Sequence, residues 1–389
     1  MKTLIKNGTV LTPFREIPGG GVLIENGKIA EVLEPGYPLP EAEEIIDAQG
    51  LYLSPGFIDV HVHGGGGFEV TNAEPEEIVS VCRAHAKYGT TSILPTTLAS
   101  PLPVLCKTLD SIQKAQKICT VANILGAHLE GPFLSPAQCG AQAPEYIIRP
   151  DSKSVSALLD RWDGIKMMGA APEIPGGLAL GRELVKRGIT ASIAHSDATF
   201  EEVERALEYG YEDVTHLYSG CSMTKRINAY RVAGVVEAGL FYDCLSVQVI
   251  ADGKHLPPSL LRLIYKCKGP DRIVLITDGL CSSAVEAPEG TVFTQKNGVP
   301  IILQDGVMKL MDGQSFAGSV ATMSRLVRNM MELAGVPILE AVRMASLNPA
   351  RLARVSDRKG RIAPGYDADI ILFDSSIQVM RTLVMGVAV

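Results

Sequence analysis

The middle of the chain alternates short apolar runs with longer segments in which apolar residues recur every three or four positions. The short runs are typical of buried strands, and the longer segments are typical of amphipathic helices. Eight runs are predicted to be strands: PGFIDVHVH, TTSILPTT, NILGAHLEG, IKMMGAAPE, ITASIAHSD, EDVTHLYS, LSVQVIAD and RIVLITDG. Helical segments such as EPEEIVSVCRAHAKYG and TFEEVERALEYG lie between them, and most of these end in glycine, as helices often do. Eight strands joined by helical crossovers predict a (β/α)8 TIM barrel.

The two ends of the chain follow a different pattern. Residues 1–53 and 359–389 consist of short apolar runs separated by Gly, Pro or Asn, without helical periodicity. We therefore expect both ends to form one small β-sandwich domain, and residues 54–358 to form the barrel. Two further helices are expected after the eighth strand, in ATMSRLVRNMMELAG and PILEAVRMASLNPARLARV.

Composition narrows the class of protein. The 389 residues are 46% hydrophobic and 20% charged, which is typical of a globular protein with a large core. The net charge is −7 and the basic residues form no long run, so nucleic acid is not an expected partner. The sequence shows neither a long apolar span nor a secretory signal pattern, so we expect a cytoplasmic protein that does not cross a membrane. The eight cysteines include no C-x-x-C pair, which argues against a thiolate metal site and a disulfide framework.

Polar residues at the strand ends are the candidates for chemistry, because active sites of such barrels lie at the carboxyl ends of the strands. In FIDVHVHGGGG, His61 and His63 share one face, since successive side chains of a strand alternate. The other residues of this kind are His128 and Glu130, His195 and Asp197, His216, and Asp278. Spacing alone leaves open whether His128 or Glu130 would be a ligand, and whether His195 or Asp197 would be one.

Imidazoles and carboxylates that converge without thiolates suit Zn²⁺ or Fe²⁺ in a hydrolytic site. Such an ion lowers the pKa of bound water and polarises the bond to be cleaved. A carboxylate beside it can then take a proton from water and deliver it to a leaving amine. Asp278, at the end of IVLITDG, is the candidate for this task.

A family resemblance rests on seven motifs that occur in order: DVHVHGG, HLEGPF, AHSDA, THLYS, IADGKH, LITDG and FAGS. With the terminal RKGRIAPGYDADIILFD, they resemble the N-acetylglucosamine-6-phosphate deacetylases of the amidohydrolase superfamily over nearly the whole chain. The resemblance implies removal of acetate from N-acetylglucosamine 6-phosphate, which gives glucosamine 6-phosphate. N-acetylgalactosamine 6-phosphate or another N-acyl compound is an alternative substrate. A non-catalytic scaffold or binding protein is an alternative of another class.

The resemblance also implies roles for individual residues. Glu130, His195 and His216 would form one metal site, with Asp278 as catalytic carboxylate and further ligand. His61 and His63 would give room for a second ion, so one or two Zn or Fe ions per subunit are expected. Substrate contacts would fall on Ala141, Gln142, Ser219, Gly220, Arg231, Asp252, His255, Phe316, Ala317 and Gly318. Arg231 and His255 would hold the phosphate, and His255 would also help to orient the carbonyl.

Three positions depart from the family pattern. Ser219-Gly220 stands where the family usually has Asn-Ala, Gln142 stands where it often has His, and RVAG from Arg231 replaces Arg-Glu-Pro-Gly. These changes surround the sugar phosphate rather than the metal, so deacetylation follows more firmly than the identity of the sugar. Family members are commonly dimers whose partner subunit reaches into the phosphate site, so a homodimer is expected.

Overall fold

The computed structural model describes residues 2–296 and 298–389. The strands are β1 (Lys2–Leu11), β2 (Glu16–Glu25), β3 (Lys28–Leu33), β4 (Glu44–Asp47), β5 (Tyr52–Pro55), β6 (Phe57–Val62), β7 (Gly64–Gly65), β8 (Phe68–Glu69), β9 (Thr90–Thr97), β10 (Asn123–Ile124), β11 (Ala127–Glu130), β12 (Ile165–Ala170), β13 (Thr190–Ile193), β14 (Tyr211–Val214), β15 (Lys225–Ile227), β16 (Tyr230–Val232), β17 (Ser246–Val249), β18 (Ile273–Leu275), β19 (Val292–Thr294), β20 (Pro300–Gln304), β21 (Val307–Leu310), β22 (Ile370–Phe373), β23 (Val379–Val384) and β24 (Val387–Ala388). The helices are α1 (Pro75–Ala86), α2 (Leu102–Ile118), α3 (Ser152–Leu159), α4 (Gly177–Lys186), α5 (Phe200–Glu208), α6 (Val235–Phe241), α7 (Pro258–Lys268), α8 (Met323–Ala334), α9 (Ile338–Ala345) and α10 (Leu347–Leu352), with short 3₁₀ helices at Pro136–Gln138 and Pro144–Tyr146.

The predicted barrel is confirmed. Strands β6, β9, β11, β12, β13, β14, β17 and β18 pair in parallel in that order, and each overlaps its predicted segment. The barrel is nearly closed by the turn after β18, where the amide of Asp278 donates to the carbonyl of His61 at 2.9 Å. The third predicted strand is split into β10 and β11 at Gly126. A Cβ there would lie 2.1 Å from the carbonyl oxygen of Gly164, so only glycine fits.

Helices cover the outside of the barrel because their apolar faces pack on the strands. In α5 the sequence fixes the start of the helix: Thr199 Oγ1 accepts from the amide of Glu202, and the Glu202 carboxylate accepts from the amide of Thr199. Val203 and Ala206 on the next turn are fully buried against the strands. None of the helices among the described residues is both long enough and apolar enough to span a membrane.

Both ends of the chain join one separate sheet, as predicted. Eight strands form it, with β22 running antiparallel to β5, and β5 running parallel to β1. Buried Ile5, Val10 and Leu372 belong to its own apolar core. The strands from residues 2–55 and from residues 370–388 therefore form one sheet with its own apolar core, separate from the barrel sheet.

A buried ion cluster ties this sheet to the barrel. The ammonium of Lys359, 2% exposed, lies 2.8 Å from Asp367 and 2.5 Å from Asp369. Asp369 also accepts from the side-chain amide of Asn123, in barrel strand β10, at 3.1 Å. Because the cation and carboxylates are desolvated, removing one partner would leave a buried charge uncompensated.

The structure differs from the sequence prediction after β18. A three-stranded sheet, β19–β21, is inserted before α8, although only two helices were expected in this region. The second expected helix is broken at Ser346 into α9 and α10. Pro349 explains the break, because its ring lacks an amide hydrogen and clashes with the carbonyl four residues earlier.

Candidate metal centre and active site

The structure brings together six of the predicted side chains at the carboxyl ends of the barrel strands: His61, His63, Glu130, His195, His216 and Asp278. Three of them follow their strands with backbone φ angles of +44° at His195, +26° at His216 and +47° at Asp278. A non-glycine residue with a positive φ costs about 1–3 kcal/mol, and such strain clusters at functional sites. The chain therefore bends sharply where three of these side chains are presented.

Glu130, the last residue of β11, lies at the centre of the group. Its Oε1 is 2.8 Å from His216 Nε2, 3.2 Å from His195 Nε2 and 3.5 Å from His61 Nε2. Its Oε2 is 3.3 Å from His63 Nε2. One carboxylate thus faces four imidazole nitrogens, an arrangement suited to a ligand shared between two cations.

A second set of contacts joins Asp278 to the histidines of the first strand. Asp278 Oδ1 lies 3.2 Å from His63 Nε2 and 3.5 Å from His61 Nε2. The two Nε2 atoms are themselves 3.1 Å apart. Two groups of possible ligands result, each with atoms within 4.8 Å of one another: His61, Glu130 and His216, and His61, His63 and Asp278.

The other ring nitrogen of each imidazole supports metal binding. Each Nδ1 faces an oxygen: His61 faces Gln248 Oε1 at 3.1 Å, His63 faces the Thr96 carbonyl at 3.2 Å, His195 faces the Gln138 carbonyl at 2.8 Å, and His216 faces the Ser219 carbonyl at 2.9 Å. A carbonyl oxygen only accepts hydrogens, so in a neutral ring the proton lies on Nδ1 and the lone pair on Nε2. Since every Nε2 points to the centre, the residues present fit a divalent ion.

The charges at the centre reinforce one another. Burial opposes charge on each group, but the carboxylates of Asp278 and Glu130 outweigh burial and raise the pKa of His63 to about 10. In turn, the histidines outweigh burial and lower the pKa of Asp278 to about 2, and that of Glu130 well below its usual range. Both carboxylates are therefore ionised at neutral pH and offer negative charge to a cation.

The surroundings of each side chain show which member of the pairs His128/Glu130 and His195/Asp197 faces the other candidate ligands. His128 lies next to His61, with ring centroids 4.8 Å apart, and its Nδ1 faces the carbonyl of Val60, but it belongs to neither group of possible ligands. Asp197 accepts from Lys225 at 2.9 Å and from Gln138 at 3.0 Å. Glu130 and His195, rather than His128 and Asp197, therefore face the other candidate ligands.

A cavity of about 230 Å³ opens beside the candidate metal ligands, five of which line it: His63, Glu130, His195, His216 and Asp278. Most predicted substrate contacts line it: Ala141, Gln142, Ser219, Gly220, His255, Phe316, Ala317 and Gly318. Asp252 is not among the lining residues and instead supports His255, whose Nδ1 lies 2.8 Å from its carboxylate. Arg231 is not among the lining residues either and is exposed on the hairpin β15–β16.

Two departures from the family pattern line the cavity but also contact candidate metal ligands, which corrects the expectation that they would surround the sugar phosphate rather than the metal. Gln142 donates to Glu130 Oε2 and accepts from the amide of Ala99 at 2.8 Å, so it holds the central carboxylate. Gly220 has a φ of +56°, and a Cβ there would lie 2.6 Å from His195 Nδ1. Glycine at this position therefore lets the backbone pass close to His195.

The glycines after His63 serve the packing of a loop. A Cβ on Gly64 would lie 2.4 Å from the carbonyl oxygen of Phe68, and one on Gly65 would lie 2.5 Å from His85 Nε2. That nitrogen of His85 lies 2.9 Å from the carbonyl oxygen of Gly64. His85 in α1 thus anchors the loop that follows the first-strand histidines.

The sequence did not single out several residues of the site. Leu98, Leu280, Gln295 and Ser315 also line the cavity. Gln295, 6% exposed, belongs to the β19–β21 insertion and lines the cavity from outside the barrel. No motif marks a residue that reaches the site from an insertion, so sequence reasoning had no signal for it.

Fold and site together define the class of protein. A model of the amidohydrolase family matches residues 52–389, which include the whole barrel and the candidate ligands. A parallel barrel with histidines and carboxylates at its strand ends is the architecture on which metal-dependent hydrolysis is expected.

Individual relatives narrow the class further, and the chain belongs to the N-acetylglucosamine-6-phosphate deacetylase family within the amidohydrolases. It is 31% identical to an N-acetylglucosamine-6-phosphate deacetylase of Lysinibacillus sphaericus, with 99% of this chain and 97% of the relative covered. It is 33% identical to an N-acetylgalactosamine-6-phosphate deacetylase of Escherichia coli, with 93% of each covered. A solved structure, a mutant N-acetylglucosamine-6-phosphate deacetylase of Mycobacterium smegmatis in complex with N-acetyl-D-glucosamine-6-phosphate, has a TM-score of 0.90 and 27% identity, covering 100% of this chain and 98% of that one.

Proposed function

We propose that the protein hydrolyses the acetamide bond of N-acetylglucosamine 6-phosphate to give glucosamine 6-phosphate and acetate. One observation carries the proposal: four imidazole Nε2 atoms and two ionised carboxylates converge beside a cavity lined by the predicted substrate contacts. The solved relative from Mycobacterium smegmatis, which holds this sugar phosphate, supports the choice of substrate.

The proposed ligands are His61, His63, Glu130, His195, His216 and Asp278. A divalent ion bound there activates water and polarises the acetamide carbonyl. Imidazole and carboxylate ligands without thiolate suit zinc and iron, and the two overlapping ligand groups allow one or two ions. Metal analysis of purified protein, by emission spectrometry, tests both the identity and the number.

Asp278 is the proposed proton carrier. Its carboxylate is ionised at neutral pH, because the surrounding histidines lower its pKa to about 2. It can therefore accept a proton from the attacking water and deliver that proton to the nitrogen of the leaving amine. His255 also lines the cavity, and its contact with Asp252 fixes the ring, so we assign it to orienting the substrate.

His255 lines the cavity, and we expect the phosphate also to contact a permanently charged side chain. Among the described lining residues there is no lysine or arginine. Arg231 is exposed on a hairpin that also exposes Ile227 by 43% and Tyr230 by 77%. We propose that two copies form a homodimer, with Arg231 of one copy binding the phosphate held in the other.

A mixture of two variants, each impaired at a different step, tests this arrangement. Arg231→Ala alone should raise KM for the phosphorylated sugar far more than for the free sugar. Mixed dimers of Arg231→Ala with Asp278→Asn should recover activity, because one site then combines an intact Asp278 with an Arg231 from the other copy. If Arg231 served the site of its own chain, the mixed dimers would not recover activity. If Arg231→Ala lowered activity equally on both sugars, Arg231 would not bind the phosphate.

N-acetylgalactosamine 6-phosphate is the second candidate substrate. The relative from Escherichia coli with 33% identity acts on the galactosamine epimer, according to its name. The departures at Gln142, Ser219 and Gly220 line the cavity, where they would contact the sugar. The chain therefore carries its differences where the epimers would be distinguished.

Acetate release from four compounds separates these candidates. Metal-loaded protein is given N-acetylglucosamine and N-acetylgalactosamine, each with and without the 6-phosphate. We expect kcat/KM to be highest for N-acetylglucosamine 6-phosphate. Preference for the galactosamine epimer would replace the first proposal with the second, and no release from any compound would refute both.

We also propose that the enzyme works in the cytoplasm. All eight cysteines are free, including the exposed Cys244 and Cys267, which is typical of proteins in reducing compartments. Fractionation of the source cells followed by the acetate assay tests this placement.

A further inference from the structure

One imidazole of the candidate centre is held differently from the other three. His63, His195 and His216 each place Nδ1 against a backbone carbonyl. His61 Nδ1 instead lies 3.1 Å from a side-chain oxygen, Oε1 of Gln248. The orientation of His61 therefore depends on a side chain that a substitution can change.

Gln248 belongs to a chain of polar groups inside the barrel. Its Nε2 donates to Asp213 Oδ2 at 2.6 Å, and Ser192 Oγ donates to the same oxygen at 2.6 Å. All three side chains are fully buried, and they come from neighbouring strands β17, β14 and β13. A buried polar network of this kind fixes its members, because an unmade hydrogen bond in the interior is costly.

Asp213 determines which way the amide of Gln248 points. An amide has a donor end and an acceptor end, and a carboxylate oxygen accepts hydrogens. Nε2 of Gln248 must therefore face Asp213, and Oε1 must face His61. Because Oε1 also accepts only hydrogens, His61 carries its proton on Nδ1 and its lone pair on Nε2, the atom that faces Glu130 and His63.

The arrangement holds whether or not Asp213 is charged. Burial raises the pKa of Asp213 to about 7. Its Oδ1 is buried and has no hydrogen-bond partner among residues 2–296 and 298–389. A proton bound there leaves Oδ2 free to accept from Gln248.

We propose that Asp213 and Gln248 are positioning residues that hold His61 in the Nδ1–H tautomer for metal binding. The inference rests on the proposed function only in taking His61 as a ligand. His61 belongs to both ligand groups, but the Glu130 group keeps His195 and His216 when His61 is misplaced. Loss of Gln248 should therefore weaken ion binding by His61, His63 and Asp278 more than ion binding by the group that contains Glu130 and His216.

The test measures metal binding without substrate. Zn²⁺ affinity and stoichiometry are determined by competition with a coloured chelator for the wild type and for Gln248→Met, which keeps the size of the side chain and removes its acceptor. We expect the weaker of two Zn²⁺ ions to lose affinity by about 10- to 100-fold, which is typical when the partner of a metal-binding histidine is removed. Ser92→Ala, which removes a buried hydroxyl without a partner in the described structure, is the control and should bind both ions as the wild type does.

A double exchange separates positioning from packing. In Asp213→Asn/Gln248→Glu the carboxylate at position 248 accepts from His61, and the amide at position 213 donates to it. Total charge and the direction of the bond to His61 are kept, so Zn²⁺ affinity should return to within about threefold of wild type, a difference of under 1 kcal/mol. Failure of the exchanged protein to recover, with its fold intact by circular dichroism, would contradict the proposal.

A measurement on the wild type covers the case in which Gln248→Met does not fold. The ¹⁵N shifts of histidine in metal-free protein distinguish Nδ1–H from Nε2–H, and we expect Nδ1 of His61 to be protonated. A His61 ring protonated on Nε2 alone would overturn the inference. Wild-type protein that binds Zn²⁺ as described but releases no acetate would refute the proposed function and leave this inference standing.

Discussion

Single residues at the centre are fixed by what lies behind them rather than by the ligand group alone. Gln142 holds Glu130, and Asp252 holds His255 at 2.8 Å. Each supporting bond removes rotamer freedom before a substrate arrives, which lowers the cost of reaching a reactive geometry. Substitutions behind the site are therefore expected to change activity even though the substituted side chain never touches the substrate.

At Asp278 the prediction concerns chemistry rather than metal retention. Asp278→Asn keeps the size of the side chain but removes its ability to take a proton. We expect kcat to fall by about 100- to 10,000-fold, the usual contribution of a general acid–base group. Glu130, His195 and His216 should still bind one ion, which metal analysis of the purified variant would show.

Loss of the metal ion from Asp278→Asn would identify a different role for Asp278. If the variant lost the ion of the Glu130 group together with its activity, Asp278 would be needed for that ion. The pH profile adds a second check. Because the pKa of Asp278 is about 2, the wild type should keep a charged Asp278 at every pH above about 3.

At the level of elements, the insertion β19–β21 is the part of the fold that reaches the site from outside the barrel. The amide of Lys296 donates to Glu69 at 2.9 Å, and its ammonium lies 2.7 Å from Glu77 in α1. These contacts fasten the insertion to the barrel rim, next to the cavity-lining Gln295. The insertion is thus a fixed wall of the cavity in this structure.

Gln295→Leu tests whether this wall recognises substrate. Leucine has nearly the size of glutamine but cannot hydrogen-bond, so we expect KM for the sugar phosphate to rise about fivefold to tenfold, with kcat within about twofold. Gln304→Leu is the matched control, since Gln304 lies on the same insertion and is exposed. Equal kinetics for both variants would show that Gln295 makes no contact with substrate.

The elements differ in how well the sequence predicted them. All eight barrel strands were predicted because short, largely apolar runs such as RIVLITDG alternate with helical segments. The insertion was missed because TVFTQKNGVPIILQDGVMKL contains short runs and turn residues without a recognisable period. The hairpin β15–β16 was missed for a related reason: its exposed residues carry no apolar pattern.

Within the site, too, the sequence predicted some residues and missed others. Strand position predicted which histidines and carboxylates would meet, because the carboxyl ends of all barrel strands share one face. Gln248 and Gln295 could not be found in this way, since a glutamine in a strand or insertion carries no mark of its partner. Contacts between distant segments, such as Gln248 with His61, require the folded chain.

For the whole molecule, the buried ions between the sheet and the barrel predict how stability responds to acid. Burial would raise the pKa of Asp367, but Lys28, Lys359 and Arg358 outweigh burial and lower that pKa to about 2. A carboxyl whose pKa is lower in the folded than in the unfolded protein stabilises the fold above its unfolded pKa. This contribution is present above about pH 4 and is lost as the pH falls from about 4 to about 2.

Lys359→Met measures what this cluster contributes. The variant leaves Asp369 without its cation, while Asp367 keeps Lys28 and Arg358, and the free energy of unfolding should fall by about 3–5 kcal/mol at pH 7. Urea unfolding followed by circular dichroism gives this difference. Lys186→Met, at a side chain that is 74% exposed, should change the free energy by less than about 0.5 kcal/mol.

The acid dependence gives the second half of the test. Protonation of Asp367 removes a charge that Lys359 neutralises, so wild type and Lys359→Met should approach one another as the pH falls from about 4 to about 2. A difference that stayed constant down to pH 2 would mean that Lys359 acts through packing of its carbon chain.

The pairing of β5 with β22 has a consequence for how the protein is made. Pro55 pairs with Ile370, so the neighbour of β5 is synthesised after the entire barrel. Until then β5 presents an open edge that other nascent chains can pair with, and closing so long a loop slows its burial. We therefore expect the first sheet to be completed only after all barrel strands have been synthesised, and the need for chaperones to be greatest in this interval.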